Sequence, residues 1–349
     1  MKNVLLIMTG GTICSFRNEN GEKASDTDRA KAVIIDKFRN GSCKFRSEDM
    51  VSFDVKSPLD TLSEDMTIDK LNCLIKSMKS YDYSKYDGVI ILHGTDTLAY
   101  TSSLLSLLMA GIKIPVFLVS SQLSLDEEDA NGNDNFKAAV ELIFYGISPN
   151  VYVPYRNDST VDGKAERKMF LHLGCHLEQC GDYSNNFYSK DMTQLSMECA
   201  QNEGELFNGS EKLLYSLPIL SGGVVKIEPY TGLDYGIFNL DRIKAVVHGT
   251  YHSSTVCTSD DANINSSLLW FIQECEIRNP KIPVFIEPCN KLAYSYETTG
   301  KALRAGAKPI SGMTGECSYI KVLLGVSLGY TGDKLEEFVN NDICGEHFL

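Results

Sequence analysis

The residues best suited to chemistry form a short run, His93–Thr97, which reads His-Gly-Thr-Asp-Thr. It combines an imidazole, two hydroxyls and a carboxylate. A second run, Thr9–Ile13, reads Thr-Gly-Gly-Thr-Ile and adds two hydroxyls beside two glycines. Glycines let a backbone turn sharply and approach a ligand closely. A threonine hydroxyl is a poor nucleophile until a base activates it, so the two runs indicate a site for nucleophilic chemistry only if a base lies nearby.

Both runs are expected at the ends of buried strands. Val89–Leu92 is apolar and partly β-branched, as is typical of a strand buried on both faces, and Ala99–Leu108 follows as a helical pattern. Val4–Met8 is a similar apolar run before the first turn. Ligands bind at the carboxyl ends of strands in open α/β sheets, so we expect both turns on one edge of one sheet. The alternative is that both are strand-end caps, since Thr, Gly and Asp are common turn residues.

Thr9–Ile13 and Gly88–Leu98 together resemble the two signature motifs of the bacterial-type asparaginase/glutaminase family, in its cytoplasmic, type I-like form. The second motif is matched at every defined position. The resemblance is strongest over residues 1–170. It implies a two-domain α/β fold with a larger N-terminal open-sheet domain and a smaller C-terminal α/β domain. It also implies a homodimer or homotetramer in which a neighbouring subunit's second domain completes the active site.

The resemblance implies roles for the reactive residues. Thr12 would be the primary nucleophile, and Thr95 would act with Lys168 and Asp96 as a supporting triad. Which threonine attacks first stays open. Thr95 and Asp96 would also bind substrate, with Asp96 gripping the α-ammonium group. A lysine base must be neutral, so burial or a nearby cation must lower its pKa from ~10.4, whereas an adjacent carboxylate has the opposite effect.

The assignment of the lysine rests on local spacing, whereas Ser63 and Glu64 are placed by the resemblance of Ser63-Glu64-Asp65-Met66 to a turn of the family. In the family a glycine lies five residues before the catalytic lysine, as Gly163 precedes Lys168, and Lys164 is the alternative. Ser63 would hold the α-carboxylate of the substrate. Glu64 stands where the family has glutamine or serine, and we expect its carboxylate to bind the substrate α-ammonium group.

The family also has a flexible lid after the first motif, with a tyrosine over the active site. Here Cys14–Lys44 is polar and is expected to be mobile, with one helix near Asp28–Phe38. No tyrosine occurs before Tyr81. Phe16 is the aromatic residue that could cover the site, although it has no phenolic hydroxyl.

No metal and no cofactor are expected. His172 and His176 have a spacing that would hold a metal on one helix face, but Gly174 lies between them and no His-Glu-x-x-His pattern occurs. Gly10 and Gly11 have neither the Gly-x-Gly-x-x-Gly run nor the P-loop lysine of nucleotide sites.

The composition limits the kinds of binding partner and the cellular location that are expected. The net charge of −13 argues against a nucleic-acid or anionic-membrane surface, and no apolar run reaches the ~18 residues of a transmembrane helix. The chain enters its first strand directly from Met1, without a signal-peptide pattern. Its eleven cysteines are odd in number and scattered, which favours reduced thiols and a cytoplasmic protein.

Polar residues with several Gly, Asn and Ser indicate a linker near Asn202–Leu214. Beyond it, apolar runs alternate with helical patterns, which predicts a second α/β domain. The expected organisation is a catalytic α/β domain at 1–205, a linker at 206–218 and a C-terminal α/β domain at 219–349.

The predicted function is hydrolysis of L-asparagine to L-aspartate and ammonia, with a small amino-acid amide as the partner. One alternative is an amidase or amidotransferase subunit acting on another amide. Such a subunit usually has an extra N-terminal domain, whereas the first motif here begins at residue 9. The other is a non-enzymatic amino-acid-binding protein of the same fold, which the missing lid tyrosine and Glu64 would favour.

Overall fold

A computed structural model describes residues 1–161, 164–190, 192–195, 212–259, 264–290, 292, 294 and 296–348. The chain divides into two compact units, Met1–Ser216 and Leu217–Leu349. The division falls inside the predicted linker, but residues 206–211 of that linker lie outside the described residues. The domain limits at 205 and 219 therefore stay predictions.

Unit 1 contains eleven described strands and five described helices. The strands are β1 (Lys2–Met8), β2 (Ser15–Arg17), β3 (Lys23–Ser25), β4 (Val51–Lys56), β5 (Gly88–Leu92), β6 (Val116–Val119), β7 (Val151–Val161), β8 (Lys164–Leu173), β9 (Leu177–Glu178), β10 (Tyr188–Ser189) and β11 (Thr193–Gln194). The helices are α1 (Thr27–Asn40), α2 (Ile68–Ser80), α3 (Leu98–Leu108), α4 (Gly132–Tyr145) and α5 (Lys212–Ser216).

Seven of these strands form one sheet in the order β11-β8-β7-β6-β5-β1-β4. Within this sheet, the parallel strands are β4, β1, β5, β6 and β7. By contrast, β8 is antiparallel to β7, and β11 is antiparallel to β8. The central strands are apolar throughout: Val4–Met8 in β1 and Val89–Leu92 in β5 are fully buried. Such continuous apolar runs are expected for parallel strands covered on both faces. The predicted strand-end turns therefore follow two neighbouring central strands.

The long β7–β8 hairpin is the main departure from the predicted strands of unit 1. The apolar pattern of the sequence indicates a strand only over Val151–Val153, whereas β7 continues to Val161 and β8 returns beside it over ten residues. The first half of β8, Lys164–Lys168, is mostly charged and is exposed or half-buried, so it lacks the apolar signal by which a strand is recognised.

Unit 2 is a smaller α/β unit. Its strands β12 (Val224–Ile227), β13 (Ala245–Gly249), β14 (Val284–Glu287) and β15 (Lys308–Pro309) form a parallel sheet in chain order. Its helices are α6 (Leu268–Glu276), α7 (Glu297–Arg304), α8 (Gly315–Ser327) and α9 (Gly332–Asn340). The α/β fold class is confirmed, with a large open sheet in unit 1 and a smaller sheet in unit 2. Among the described residues, no helix has the length and apolar character to cross a membrane.

Candidate active site

The two polar turns lie side by side at the carboxyl ends of β1 and β5. These strands are parallel neighbours, with Met8 opposite Leu92. The backbone N–H and the hydroxyl of Thr9 both donate to the carbonyl oxygen of Leu92, over 3.1 Å and 2.8 Å. Thr9 is buried, and its hydroxyl is used to join the two strand ends. Thr9 is therefore a structural residue of the first turn.

Two glycines allow the turns to touch backbone to backbone. Gly11 has φ +80°, and a Cβ at this position would lie closer than 3.0 Å to Cα and N of Gly94. Gly94 in turn has Cα of Gly11 and the side chain of Ser63 within 3.0 Å of where its own Cβ would be. Any side chain at either glycine would push the turns apart, so this contact requires glycine on both sides.

A third turn, which follows β4, closes against the other two. The N–H of Gly11 donates to the carbonyl of Thr61 at 2.7 Å. The Oγ of Ser63 accepts from the N–H of Thr97 at 3.1 Å, and the Thr97 hydroxyl donates to the Ser63 carbonyl at 3.0 Å. Ser63 is only 2% exposed. The three turns therefore form one hydrogen-bonded unit, called here the three-turn site: residues 9–12, 61–65 and 93–97.

Thr12 and Thr95 are two of the three half-buried threonines of the three-turn site. Within the described part of the chain, neither hydroxyl makes a hydrogen bond. Thr12 begins a short 3-10 helix, Thr12–Cys14, and Thr95 lies just before α3. The side chain of Asp96 is exposed and forms no ion pair with a described residue. These groups are thus available to a ligand, unlike the hydroxyl of Thr9.

The backbone around Thr95 also offers donors. No described residue accepts a hydrogen bond from the N–H of Gly94, Thr95 or Asp96. These groups precede the first turn of α3, where the helix dipole adds partial positive charge. Successive free N–H groups at such a position suit an oxyanion or a carboxylate.

The imidazole of His93 has a structural role. It is completely buried, and its Nδ1–H donates to the carbonyl of Gly94 at 2.8 Å. Burial is the main reason that its pKa is lowered to about 4, so the ring is neutral at pH 7. His93 therefore supports the turn and does not face a substrate.

Lys168 lies within β8, opposite Asn157 of β7. Its side chain is 47% exposed, and its ammonium group pairs with Glu166 at 2.7 Å. In the described structure, no hydrogen bond or ion pair joins Lys168 to Thr95 or Asp96. Gly163, on which the spacing argument rested, is outside the described residues. The catalytic role of Lys168 stays a prediction.

Glu64 also stays a prediction. It lies in the same short 3-10 helix as Ser63, is exposed, and makes no hydrogen bond or ion pair with any described residue. Its carboxylate is therefore unengaged beside the three-turn site.

The region predicted to be a lid contains regular secondary structure. β2 and β3 form a hairpin, and α1 follows over Thr27–Asn40. Phe16 is 3% exposed in the core of unit 1, with the guanidinium of Arg29 4.1 Å from its ring centre. The suggestion that Phe16 covers the site is therefore wrong, because this side chain is packed in the core of unit 1.

The two histidines with metal-like spacing do not share a helix face. His172 belongs to β8, and His176 ends a short 3-10 helix, Gly174–His176. His172 is buried and its Nδ1 lies 2.8 Å from the hydroxyl of Ser189. Across the described ranges, no group of three or more His, Cys, Asp or Glu side chains is arranged to hold a metal ion.

Sequence reasoning missed one contact residue, Gln179. Its side-chain amide donates to the carbonyl of Thr95 at 2.8 Å and accepts from the N–H of Ala99 at 3.4 Å. Gln179 follows β9, 84 residues from Thr95 in the chain. No local pattern links the two, because only the packing of the 174–179 segment against α3 brings them together.

Comparison with known proteins extends these observations. Residues 3–172 match the family described as "Asparaginase, N-terminal". The chain is 28% identical to an L-asparaginase of Thermococcus kodakarensis over 98% of either chain. It is 32% identical to L-asparaginase 1 of Escherichia coli K12 over 142 residues, which are 40% of this chain and 39% of the relative.

A solved structure has the same fold. It is the thermostable L-asparaginase from Thermococcus kodakarensis, which matches with a TM-score of 0.74 and 23% identity. The match covers 99% of both chains. Together with the family match over residues 3–172 and the full-length relative, this confirms the resemblance to the asparaginase family that the two sequence motifs indicate.

Proposed function

Because the chain belongs to the asparaginase family, we propose that it hydrolyses L-asparagine to L-aspartate and ammonia. The observation that carries this proposal is the three-turn site. The contact between Gly11 and Gly94 brings Thr12 and Thr95 to one sheet edge, and both hydroxyls are free of protein partners there. Amide hydrolysis needs a nucleophile, a proton path and a stabilised oxyanion.

In the proposed reaction, Thr12 is the nucleophile. Its Oγ attacks the side-chain carbonyl of asparagine, and its proton passes to the base. The free N–H groups of residues 94–96 stabilise the negative charge on the carbonyl oxygen. The carbon–nitrogen bond then breaks, the nitrogen takes up the proton and leaves as ammonia. Water hydrolyses the resulting acyl ester, which releases aspartate and restores the hydroxyl.

The remaining predicted residues have supporting roles in this proposal. Thr95, Asp96 and Lys168 form the triad that moves the proton. Asp96 binds the substrate α-ammonium group, with Glu64 as a second carboxylate. Ser63 binds the α-carboxylate. The hydroxyl oxygen of Ser63 accepts a bond from the N–H of Thr97, so its hydroxyl hydrogen can still be donated to the substrate.

Lys168 can act as a base only after it loses its proton. A carboxylate next to an ammonium group favours the charged form, so the ion pair with Glu166 opposes this role. The proposal therefore requires that Lys168 leaves Glu166 and approaches Thr95 when substrate binds. Lys164, the alternative base, lies at the start of β8 and is exposed.

The test is an ammonia-release assay with L-asparagine, L-glutamine and D-asparagine side by side. We expect the highest kcat/KM with L-asparagine. Turnover of L-glutamine alone would make the protein a different amidase. Saturable binding of L-asparagine without ammonia release would make it an amino-acid-binding protein.

We also propose a cytoplasmic location and a homodimeric or homotetrameric assembly. The odd number of scattered cysteines supports a reducing compartment. The assembly follows from the family resemblance, in which a neighbouring subunit's second domain completes the site. Size-exclusion chromatography with light scattering tests the assembly, and a monomer with full activity would contradict it.

A further inference from the structure

We propose that Gln179 is a positioning residue that holds the Thr95 turn in its reactive geometry. The inference rests on the proposed function, in which Thr95 is part of the proton-transferring triad. It concerns a contact that neither motif contains, since Gln179 lies outside both.

The side-chain amide of Gln179 joins the two sides of the turn. Its Nε2 donates to the carbonyl of Thr95 at 2.8 Å, and its Oε1 accepts from the N–H of Ala99 at 3.4 Å. The N–H of Leu98 donates to the same Thr95 carbonyl at 3.3 Å. Gln179 therefore fixes the turn at its reactive residue and at the beginning of α3.

The N-terminal end of α3 depends on this contact because the side chain of its N-cap residue bonds to another turn. Thr97 is the N-cap residue, but its side chain makes no capping bond, since its hydroxyl donates to Ser63. The early N–H groups of a helix need acceptors from outside the helix. The amide oxygen of Gln179 supplies one to Ala99.

The segment that carries Gln179 is itself fixed to α3. The hydroxyl of Ser102 donates to the carbonyl of Gly174 at 2.8 Å. Gly174 approaches α3 so closely that a Cβ there would lie 2.7 Å from Oγ of Ser106. β9, which directly precedes Gln179, is paired with β10. The backbone that carries Gln179 is thus held in place relative to the turn.

Only a group that both donates and accepts can make these two bonds. A methionine has nearly the shape of glutamine but makes neither bond. An ionised glutamate accepts from Ala99 but has no proton to give to the Thr95 carbonyl, whereas a protonated glutamic acid can do both. A small displacement of a reacting group is enough to cost about 10²-fold in rate.

The experiment compares Gln179→Met, Gln179→Glu and the wild type, with Gln273→Met and Gln273→Glu as controls. Gln273 is an exposed residue of α6 in unit 2. Two quantities are measured: kcat and KM for L-asparagine across pH, and amide hydrogen exchange at Leu98 and Ala99. Exchange does not depend on turnover, so it tests the contact separately from the function.

We expect Gln179→Met to lower kcat by about 10- to 100-fold, with KM within about threefold of wild type, and to speed exchange at Leu98 and Ala99. For Gln179→Glu, the ratio of its kcat to that of the wild type should rise as pH falls from about 7 to about 4, because the protonated acid regains the donor. The Gln273 variants should match the wild type in every measurement.

Wild-type kcat or wild-type exchange in Gln179→Met would overturn the positioning role. A flat kcat ratio for Gln179→Glu would overturn the requirement for a donor. A wild type that releases no ammonia would remove the proposed function, and the exchange rates would then decide by themselves whether Gln179 holds the turn.

Discussion

Replacing Gly11 with alanine should separate the turns of the three-turn site. The new Cβ would lie closer than 3.0 Å to backbone atoms of Gly94, and backbone cannot move aside as a flexible side chain can. Gly11 also has φ +80° with ψ −175°, a region that is essentially restricted to glycine. The backbone conformation costs about 1–3 kcal/mol, and overpacking adds about 1–3 kcal/mol. We therefore expect Gly11→Ala to destabilise unit 1 by about 2–6 kcal/mol.

Activity should fall as well, because Thr12 follows Gly11 directly. A displacement near 1 Å costs about 10²-fold in rate, so kcat/KM for L-asparagine should drop by at least that factor. The assays are urea denaturation followed by circular dichroism and ammonia release at a temperature where the variant is folded.

Gly21→Ala is the matched control. Gly21 also has a positive φ, +78°, but nothing lies within 4 Å of where its Cβ would be. This variant carries only the backbone cost, and it should keep wild-type activity. A Gly11→Ala protein with the stability and activity of Gly21→Ala would refute the close contact of the turns.

Three further predictions follow from single contacts. Lys168→Met should lower kcat by about 10³-fold or more, while Lys164→Met should stay close to wild type; the reverse result would move the base to Lys164. Glu64→Gln should raise KM for L-asparagine by about tenfold and change kcat less. The lost bond to the α-ammonium group is worth ~1.5–3 kcal/mol, and it is present in the bound ground state as well as in the transition state. An unchanged KM would exclude that bond. In unit 2, Lys321 and Glu346 form a completely buried ion pair. Burial raises the pKa of Glu346, but Lys321 outweighs it and the pKa is lowered to about 2. The contribution of this depressed pKa to the free energy of unfolding is present above pH ~4.5 and should be lost as pH falls toward 2. Glu346→Gln should remove this contribution to the pH dependence of stability. An unchanged acid unfolding transition in Glu346→Gln would contradict the prediction.

The parts of the site that the sequence could predict are those with local signals. Apolar runs located β1 and β5, and the small polar residues after them located the turns. Their place on one edge of one sheet then follows from the rule that ligands bind at the carboxyl ends of strands in open α/β sheets. Such features need only strand periodicity and turn chemistry.

The parts that sequence reasoning missed depend on tertiary packing. Gln179 reaches Thr95 only through the packing of a distant segment on α3. Phe16 belongs to the core through its packing in unit 1, although its polar neighbours suggested a mobile lid. Lys168 was assigned by spacing, which gives no information on its partner Glu166 within the same strand. Long-range contacts such as that of Gln179 with Thr95 leave no periodic trace in the sequence.

The central claim is that Thr12 and Thr95, unlike Thr9, carry out chemistry. The most direct measurement is ammonia release from L-asparagine by Thr9→Ala, Thr12→Ala and Thr95→Ala, each checked for native circular dichroism. Thr12→Ala and Thr95→Ala should lose about 10³-fold or more in kcat, as is typical when one member of a catalytic unit is removed. Thr9→Ala should lose about 1 kcal/mol of stability with its bond to Leu92 and keep kcat within about tenfold of wild type. A folded Thr12→Ala or Thr95→Ala protein with near-normal kcat would contradict the account.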